Sequence, residues 1–268
     1  MLRDGELDIR ELPGIAGGRA PGGRSSQQDD LICLHDARWA TSLVVLADGM
    51  GGDGAGELAS GGVIHAARTL WDERSWRDQP GALFLETLCQ AAHTEIRRRN
   101  AWVNAEPHST MVALLLRDEQ AYWAHVGDSR LYHFRGRRCR SVTRDHSLAR
   151  LKLERGEIRE ADLARDPDQH VLLRGVGGNE APEVEHGYAQ LRPGDGFVLC
   201  SDGIWETLST AELGALLREP DLYEGVRAGL MRAAARGGAH GDNLGLILLQ
   251  TEPPGTWLGR LMSRLTLT

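Results

Sequence analysis

The 268-residue sequence has almost no lysine: Lys152 stands alone among 31 basic residues, and the rest are arginine. That absence excludes a phosphate loop ending in Gly-Lys, because Gly54 is followed by Ala55-Gly56-Glu57. Cysteine is scarce as well. Cys33, Cys89, Cys139 and Cys200 lack metal-site spacing and read as reduced residues in or near the core of a cytoplasmic protein. No apolar run reaches the length of a membrane span. Residues 1–19 carry Asp4, Glu6, Asp8 and Glu11 with no apolar centre, so they do not read as a signal peptide. Basic residues are outnumbered 31 to 38 by acidic ones, a net charge of −7, which argues against a nucleic-acid partner. Ser201 lacks the Gly-x-Ser-x-Gly turn of a serine hydrolase. No repeat, low-complexity block or linker divides the chain. One domain is expected over residues 1–252, followed by a short C-terminal tail, 253–268, whose Trp257, Leu258, Leu261, Met262 and Leu265 could form an amphipathic helix.

What remains is an ordinary globular composition, 41% hydrophobic and 26% charged. Periodicity predicts a strand near Leu7 to Leu12, a Gly/Pro-rich loop from Pro13 to Gly23, a short apolar run at Leu31 to Leu34, and a strand over 42–47. Helices are predicted over 56–72 and, after Pro80, over 81–100. A strand meander covers Thr110 to Val142, with turns at Asp118-Glu119 and Arg135-Gly136. A helix is expected from His146 to Glu154, a charged surface insertion over 155–172, and strands over 184–191 and 196–201. Ser209 with Glu212 reads as a capping box. A helix over 221–236 stops at Gly237-Gly238, and Leu244 to Leu249 is a final strand. Runs of strands and runs of helices, without strict alternation, indicate an α+β fold.

Four aspartates stand out, each at an end of an apolar segment: Asp48 in Val45-Leu-Ala-Asp-Gly-Met-Gly-Gly, Asp128 in His125-Val-Gly-Asp-Ser-Arg, Asp202 in Leu199-Cys-Ser-Asp-Gly-Ile-Trp, and Asp242 in Gly241-Asp-Asn. A single Asp-Gly is usually a turn. Four at such junctions suggest carboxylates converging on hard divalent ions, Mg²⁺ or Mn²⁺, which favour oxygen ligands. Two ions can stabilise both oxygens of an in-line displacement at phosphorus, and an arginine fork can hold the phosphate. Gly49 to Gly54 also fits the dinucleotide pattern G-x-G-x-x-G, but a lone match is weak and no acid-ended second strand follows at the required distance. Among the ten histidines, His125 reads as a core or lining residue, His146 as structural support near the site, and His240 as a loop residue.

These motifs resemble those of the metal-dependent protein phosphatases of type 2C, of the bacterial kind. Arg24-Ser-Ser-Gln-Gln-Asp29, Ser109-Thr110 and Thr143-Arg-Asp-His-Ser-Leu148 match further family elements, in family order, over about residues 24–249. The resemblance implies a four-layer αββα sandwich of two antiparallel sheets flanked by helices. It also implies a serine/threonine phosphatase that uses a metal-activated water at two ions. Carried over, Asp48 would bridge the ions, Asp202 and Asp242 would complete the first, and the Gly49 carbonyl would serve the second. Many bacterial members hold a third ion, for which Asp128 and Asp202 would be ligands here. Asp29 would act near the metals through water, Arg24 would grip the substrate phosphate, and Gln28 and Asn243 would support the ligands.

The sequence departs from the family pattern at Gln27, Gln28, His108 and Met50. Met50 stands where eukaryotic members carry a histidine proposed as general acid, so a metal-bound water or another group must protonate the leaving alkoxide. Residues 155–171 occupy the place of the family's flap beside the cleft. The resemblance implies a phosphorylated protein substrate, an opposing bacterial serine/threonine kinase, a monomer, and control of type VI secretion as one setting. A non-catalytic phosphoprotein-binding relative and an anti-sigma-antagonist phosphatase are the alternatives.

Overall fold

The computed structural model describes residues 6–52, 54–100 and 106–251. Two antiparallel sheets lie face to face. One orders its strands β1 (Asp8–Leu12), β2 (Ile15–Ala20), β12 (Leu244–Gln250), β11 (Asp195–Cys200), β8 (Arg130–Arg135) and β9 (Arg138–Val142). The other runs β10 (Glu185–Gln190), β7 (Gln120–Val126), β6 (Met111–Arg117), β4 (Thr41–Met50) and β3 (Asp29–Asp36), with β5 (His108–Ser109) paired to the end of β4.

The run Leu43-Val-Val-Leu-Ala47 is continuously apolar because β4 is buried on both faces. Val44 and Leu46 meet Phe197, Leu199 and Ile247 of the opposite sheet. Val45 and Ala47 turn the other way, toward α1 (Ala55–Asp72) and α2 (Gly81–Asn100), where Ala59, Val63, Phe84, Leu88 and Ile96 close a second core. On the far side, α5 (Thr210–Leu216) and α6 (Leu222–Gly237) cover the first sheet through Leu213, Leu216, Val226 and Leu230. The result is the expected four-layer αββα sandwich. The capping box at Ser209 and Glu212 is present, and Asp118 and Glu119 both take positive φ in their hairpin turn.

The stretch Pro13 to Gly23 is a correction. It contains β2, which pairs with β1 on one side and β12 on the other. Its Ile-Ala-Gly-Gly-Arg-Ala sequence lacks the β-branched pattern of a strand because neighbours crowd it on both faces. A Cβ at Gly17 would stand 2.9 Å from Cys33 Sγ, and one at Gly18 would stand 2.8 Å from both Ile9 and Val226. The helix expected from His146 begins at Leu148 instead, as α3 (Leu148–Glu154), because Ser147 is its N-cap and accepts from the Arg150 amide. A one-turn helix, α4 (Asp202–Trp205), follows β11 and was not foreseen. Segment 155–172 holds a 3-10 turn over Glu160–Arg165 and is tied back by a bridge between Ser147 and Leu172. The expected tail, 253–268, lies outside the described residues.

Candidate active site

The layering brings the ends of five strands to one place. Asp29 opens β3 and is in register with Asp48 near the end of β4. Asp128 follows β7, Asp202 follows β11, and Asp242 precedes β12. Asp29, Asp128 and Asp202 are buried, and Asp48 and Asp242 are half-buried. The sequence placed these residues about two hundred positions apart, and the sandwich sets them against one another.

Like charges this close must be reconciled. Burial first, and then the charges of Asp29, Asp202, Asp128 and Asp242, hold Asp48 well above the usual carboxylate range. Burial, with Asp202 and Asp145, does the same to Asp128. For Asp29, burial outweighs the Ser201 hydrogen bond, and with Asp202 and Asp242 pushes the carboxyl up to about 8. Compensation within the protein is thin. Ser201 Oγ donates to Asp29 Oδ2 at 2.6 Å, while Asp29 Oδ1 is buried with no hydrogen-bond partner. Arg24 donates to Asp242 Oδ2 at 2.8 Å, on the solvent side of the cluster. Five carboxylates, met by Arg24 at Asp242 and His170 at Asp202 and, less directly, by the charges of Arg19 and Arg130, form a donor set suited to a hard cation, and the orphaned Asp29 oxygen is the kind of group such an ion or its water satisfies.

The loop that carries Arg24 is held by Asn243. Its side-chain nitrogen donates to the carbonyls of Pro21 and Ser26, and its side-chain oxygen accepts from the Gln28 amide at 2.8 Å. Support for Asp242 comes from the Asn243 backbone amide, which donates to Asp242 Oδ1, not from its side chain. Gln28 donates to the Gly51 carbonyl and so ties the same loop to the turn after Asp48. Gly49 packs against Gly56, where a Cβ on either residue would collide with the other's backbone, so α1 starts directly on this turn. His108 and Ser109 pair with Met50 and Gly49, and Ser109 Oγ and the Thr110 amide both donate to the Asp48 carbonyl.

A sequence model of the family described as "Protein phosphatase 2C" matches residues 19–218. This chain belongs to the protein phosphatase 2C family. It is 31% identical over 218 residues to the serine/threonine phosphatase stp of Listeria welshimeri, covering 78% of this chain and 84% of that one. Its fold matches the catalytic domain of the serine/threonine phosphatase PstP, solved in complex with two manganese ions, with a TM-score of 0.74 and 27% identity over 90% of this chain and 97% of the other. It also matches PppA of Pseudomonas aeruginosa, described as a key regulatory component of T6SS, with a TM-score of 0.70 and 28% identity over 88% and 96%. The protein is a metal-dependent serine/threonine phosphatase of the bacterial kind. Among the described residues no helix is long and apolar enough to cross a membrane.

Sequence reasoning missed three residues of this phosphatase site. Ser201 is the N-cap of α4 but makes no capping bond. It gives its hydroxyl to Asp29 and accepts from the Gly245 amide at 2.9 Å. Glu206 lies four residues after Asp202, one helical turn on, a spacing that could have pointed to it. His170, from the 155–172 segment, has Nδ1 3.7 Å from Asp202 and 3.8 Å from Glu206. Its pairing with Asp202 is the main cause that raises it to about 9, and burial with Asp202 raises Glu206 to about 7. Buried Gln169 beside it contacts Glu206. No local pattern announces His170, since only the return of the flap brings it there.

His125 and His146 are the lining and support residues the sequence suggested. They stack at 4.6 Å, with Glu185 3.5 Å from His146 Nε2. Three potential ligand atoms gather there, yet the tautomers oppose a metal. His125 Nε2 faces the Arg144 carbonyl and must carry its proton, while His146 Nδ1 accepts the Gly127 amide, leaving the proton on Nε2 toward Glu185. Asp145 makes a two-pronged pair with Arg130, whose guanidinium lies over Trp205.

Proposed function

We propose that the phosphatase works at a dinuclear Mn²⁺ or Mg²⁺ centre, which Asp48, Asp202, Asp242 and the Gly49 carbonyl would hold. Asp128 and Asp202 would hold a third. The observation that carries this reading is the half-buried Asp48 ringed by four other carboxylates with one arginine among them. Bound ions would supply an activated water and neutralise the phosphoryl oxygens. The remaining work belongs to the chain. Arg24 orients the phosphate, with its guanidinium poised at Asp242 and more than half exposed. Asp29 accepts from Ser201 and offers its free oxygen to water within the cluster. Gln28 and Asn243 fix the loop that presents Arg24. Met50 has no proton to give the leaving alkoxide; that proton would come from a water held at the ions or from another group at the centre.

The substrate in this reading is a phosphoserine or phosphothreonine protein made by a bacterial kinase. The likeness to PppA favours type VI secretion as the setting, with the protein acting in the cytoplasm as a monomer. Hydrolysis of p-nitrophenyl phosphate and of a phosphothreonine peptide, each with and without Mn²⁺, tests the chemistry. Metal-dependent turnover that Asp202→Asn abolishes is expected. Metal-independent turnover, or none, would sink the reading.

A further inference from the structure

A groove of ≈ 600 Å³ adjoins the acidic centre. Met50 and Gly51, the two residues after Gly49, line it together with His170, whose Nδ1 lies 3.7 Å from Asp202. A phosphorylated side chain entering the centre must therefore leave its neighbouring residues in or beside this groove. The outer walls come from two stretches far apart in sequence, at residues 106–108 and 172–183.

The charges along the groove do not balance. Among its described lining residues Arg174 is the one arginine or lysine, and Glu183 pairs with it at 2.6 Å, while the imidazole of His170 is turned to Asp202 and Glu206. Glu106 and Glu180 are both exposed and have no ion-pair partner among the described residues. Leu173 adds an apolar surface, 51% exposed. Two free carboxylates around an open apolar wall complement an extended cationic segment, and they repel an acidic one.

We propose that this groove binds the polypeptide beside the phosphorylated residue and selects segments carrying arginine or lysine there, with Glu106 and Glu180 as the residues that set the preference. The proposal rests on the phosphatase reading of the neighbouring centre and deepens it to a substrate class. It differs from a docking site for a distant domain, because the groove is continuous with the residues around Asp48.

Two phosphothreonine peptides of equal length decide it, one with arginines flanking the phosphorylated residue and one with glutamates. The arginine peptide is expected to show the higher kcat/KM by about fivefold at low salt, mostly through KM, with the advantage shrinking as salt rises. In Glu106→Gln/Glu180→Gln the ratio between the two peptides should fall toward one, and in Glu106→Arg/Glu180→Arg it should invert. Using the ratio within each variant removes any general loss of turnover or folded fraction. Equal kcat/KM for the two peptides, or a ratio unmoved by the variants, would overturn the proposal. If neither peptide is hydrolysed, the phosphatase reading is at fault. Fluorescence anisotropy of the same labelled peptides on the same protein then still decides the groove: tighter binding of the arginine peptide upholds it, and equal binding overturns it.

Discussion

Ser201 and Asp29 join the two sheets at the floor of the acidic cluster. The hydroxyl at the end of β11 donates to the carboxylate that opens β3, and the Gly245 amide of β12 holds that hydroxyl in place. Both residues are almost wholly buried, so water cannot replace the bond. Ser201→Ala should cost about 1–3 kcal/mol of stability, because it strands Asp29 and the Gly245 amide together. Urea unfolding of the metal-free protein measures this. A loss within a few tenths of a kcal/mol would show that the bridge carries nothing.

Asp48 should behave in opposite ways with and without metal. In EDTA, Asp48→Asn removes the carboxylate at the centre of the mutual repulsion, and Tm should rise by roughly 2–4 °C. With Mn²⁺ at about 100 times its Kd, the parent protein should gain about 2.7 kcal/mol and the variant little or none. Thermal melts in the two buffers give both numbers. A variant that gains as much from Mn²⁺ as the parent would remove Asp48 from the ion-holding set.

Arg24 tests whether position or charge matters at the phosphate. Arg24→Lys keeps the charge but loses the planar fork, and Arg24→Ala loses both. The alanine variant should lower kcat/KM for p-nitrophenyl phosphate about 10- to 100-fold, with lysine between it and the parent. Equal values for all three would mean that Arg24 serves only its pair with Asp242.

The capping box on α5 predicts a pH signature remote from the cluster. Arg236, then the amide and hydroxyl of Ser209, draw Glu212 down to about 2. A lowered carboxylate stabilises the fold above its unfolded pKa and loses that contribution as pH falls through the folded one. Relative to Glu212→Gln, the parent should therefore be more stable by about 1 kcal/mol at neutral pH, a modest figure because the pair is partly exposed. The gap should close between about pH 4.5 and 2. Parallel denaturation curves across that range would show it, and a gap that stays constant would contradict the assignment.

Gly18 explains the strand the sequence concealed, and can be tested directly. Gly18→Ala places a methyl 2.8 Å from both Ile9 and Val226, so overpacking should cost about 1–3 kcal/mol. On an open strand the same change would be neutral or stabilising. A rise in Tm would show that α6 does not press on β2 as closely as described.

The fold and most of the acidic cluster were legible because their signals are local. The continuous apolar run before Asp48 marks a doubly buried strand, and an aspartate at the end of such a strand is conspicuous wherever the chain later goes. β2 was illegible because what defines it is the proximity of Cys33, Ile9 and Val226, none of which is a sequence neighbour. Ser201 was weighed as a nucleophile because its real partner lies across the sandwich. His170 gave no signal at all, since its role depends on how the 155–172 segment turns back. Asn243 reads from the sequence as a support for the ligands; its side chain braces the Arg24 loop and leaves Asp242 to the backbone.

The place of β12 has a consequence for how the enzyme comes into being. β1 and β2 meet the rest of their sheet only through that strand, the last one described, and Asn243 at its threshold secures the loop bearing Arg24. A chain still in synthesis therefore has the packing of β2 on β3 but no sheet partner for its first hairpin, and no side chain to hold the Arg24 loop. Activity would switch on late and all at once, when residues 242–250 arrive, so a ribosome-bound fragment ending before them would be inert however well its second sheet had folded.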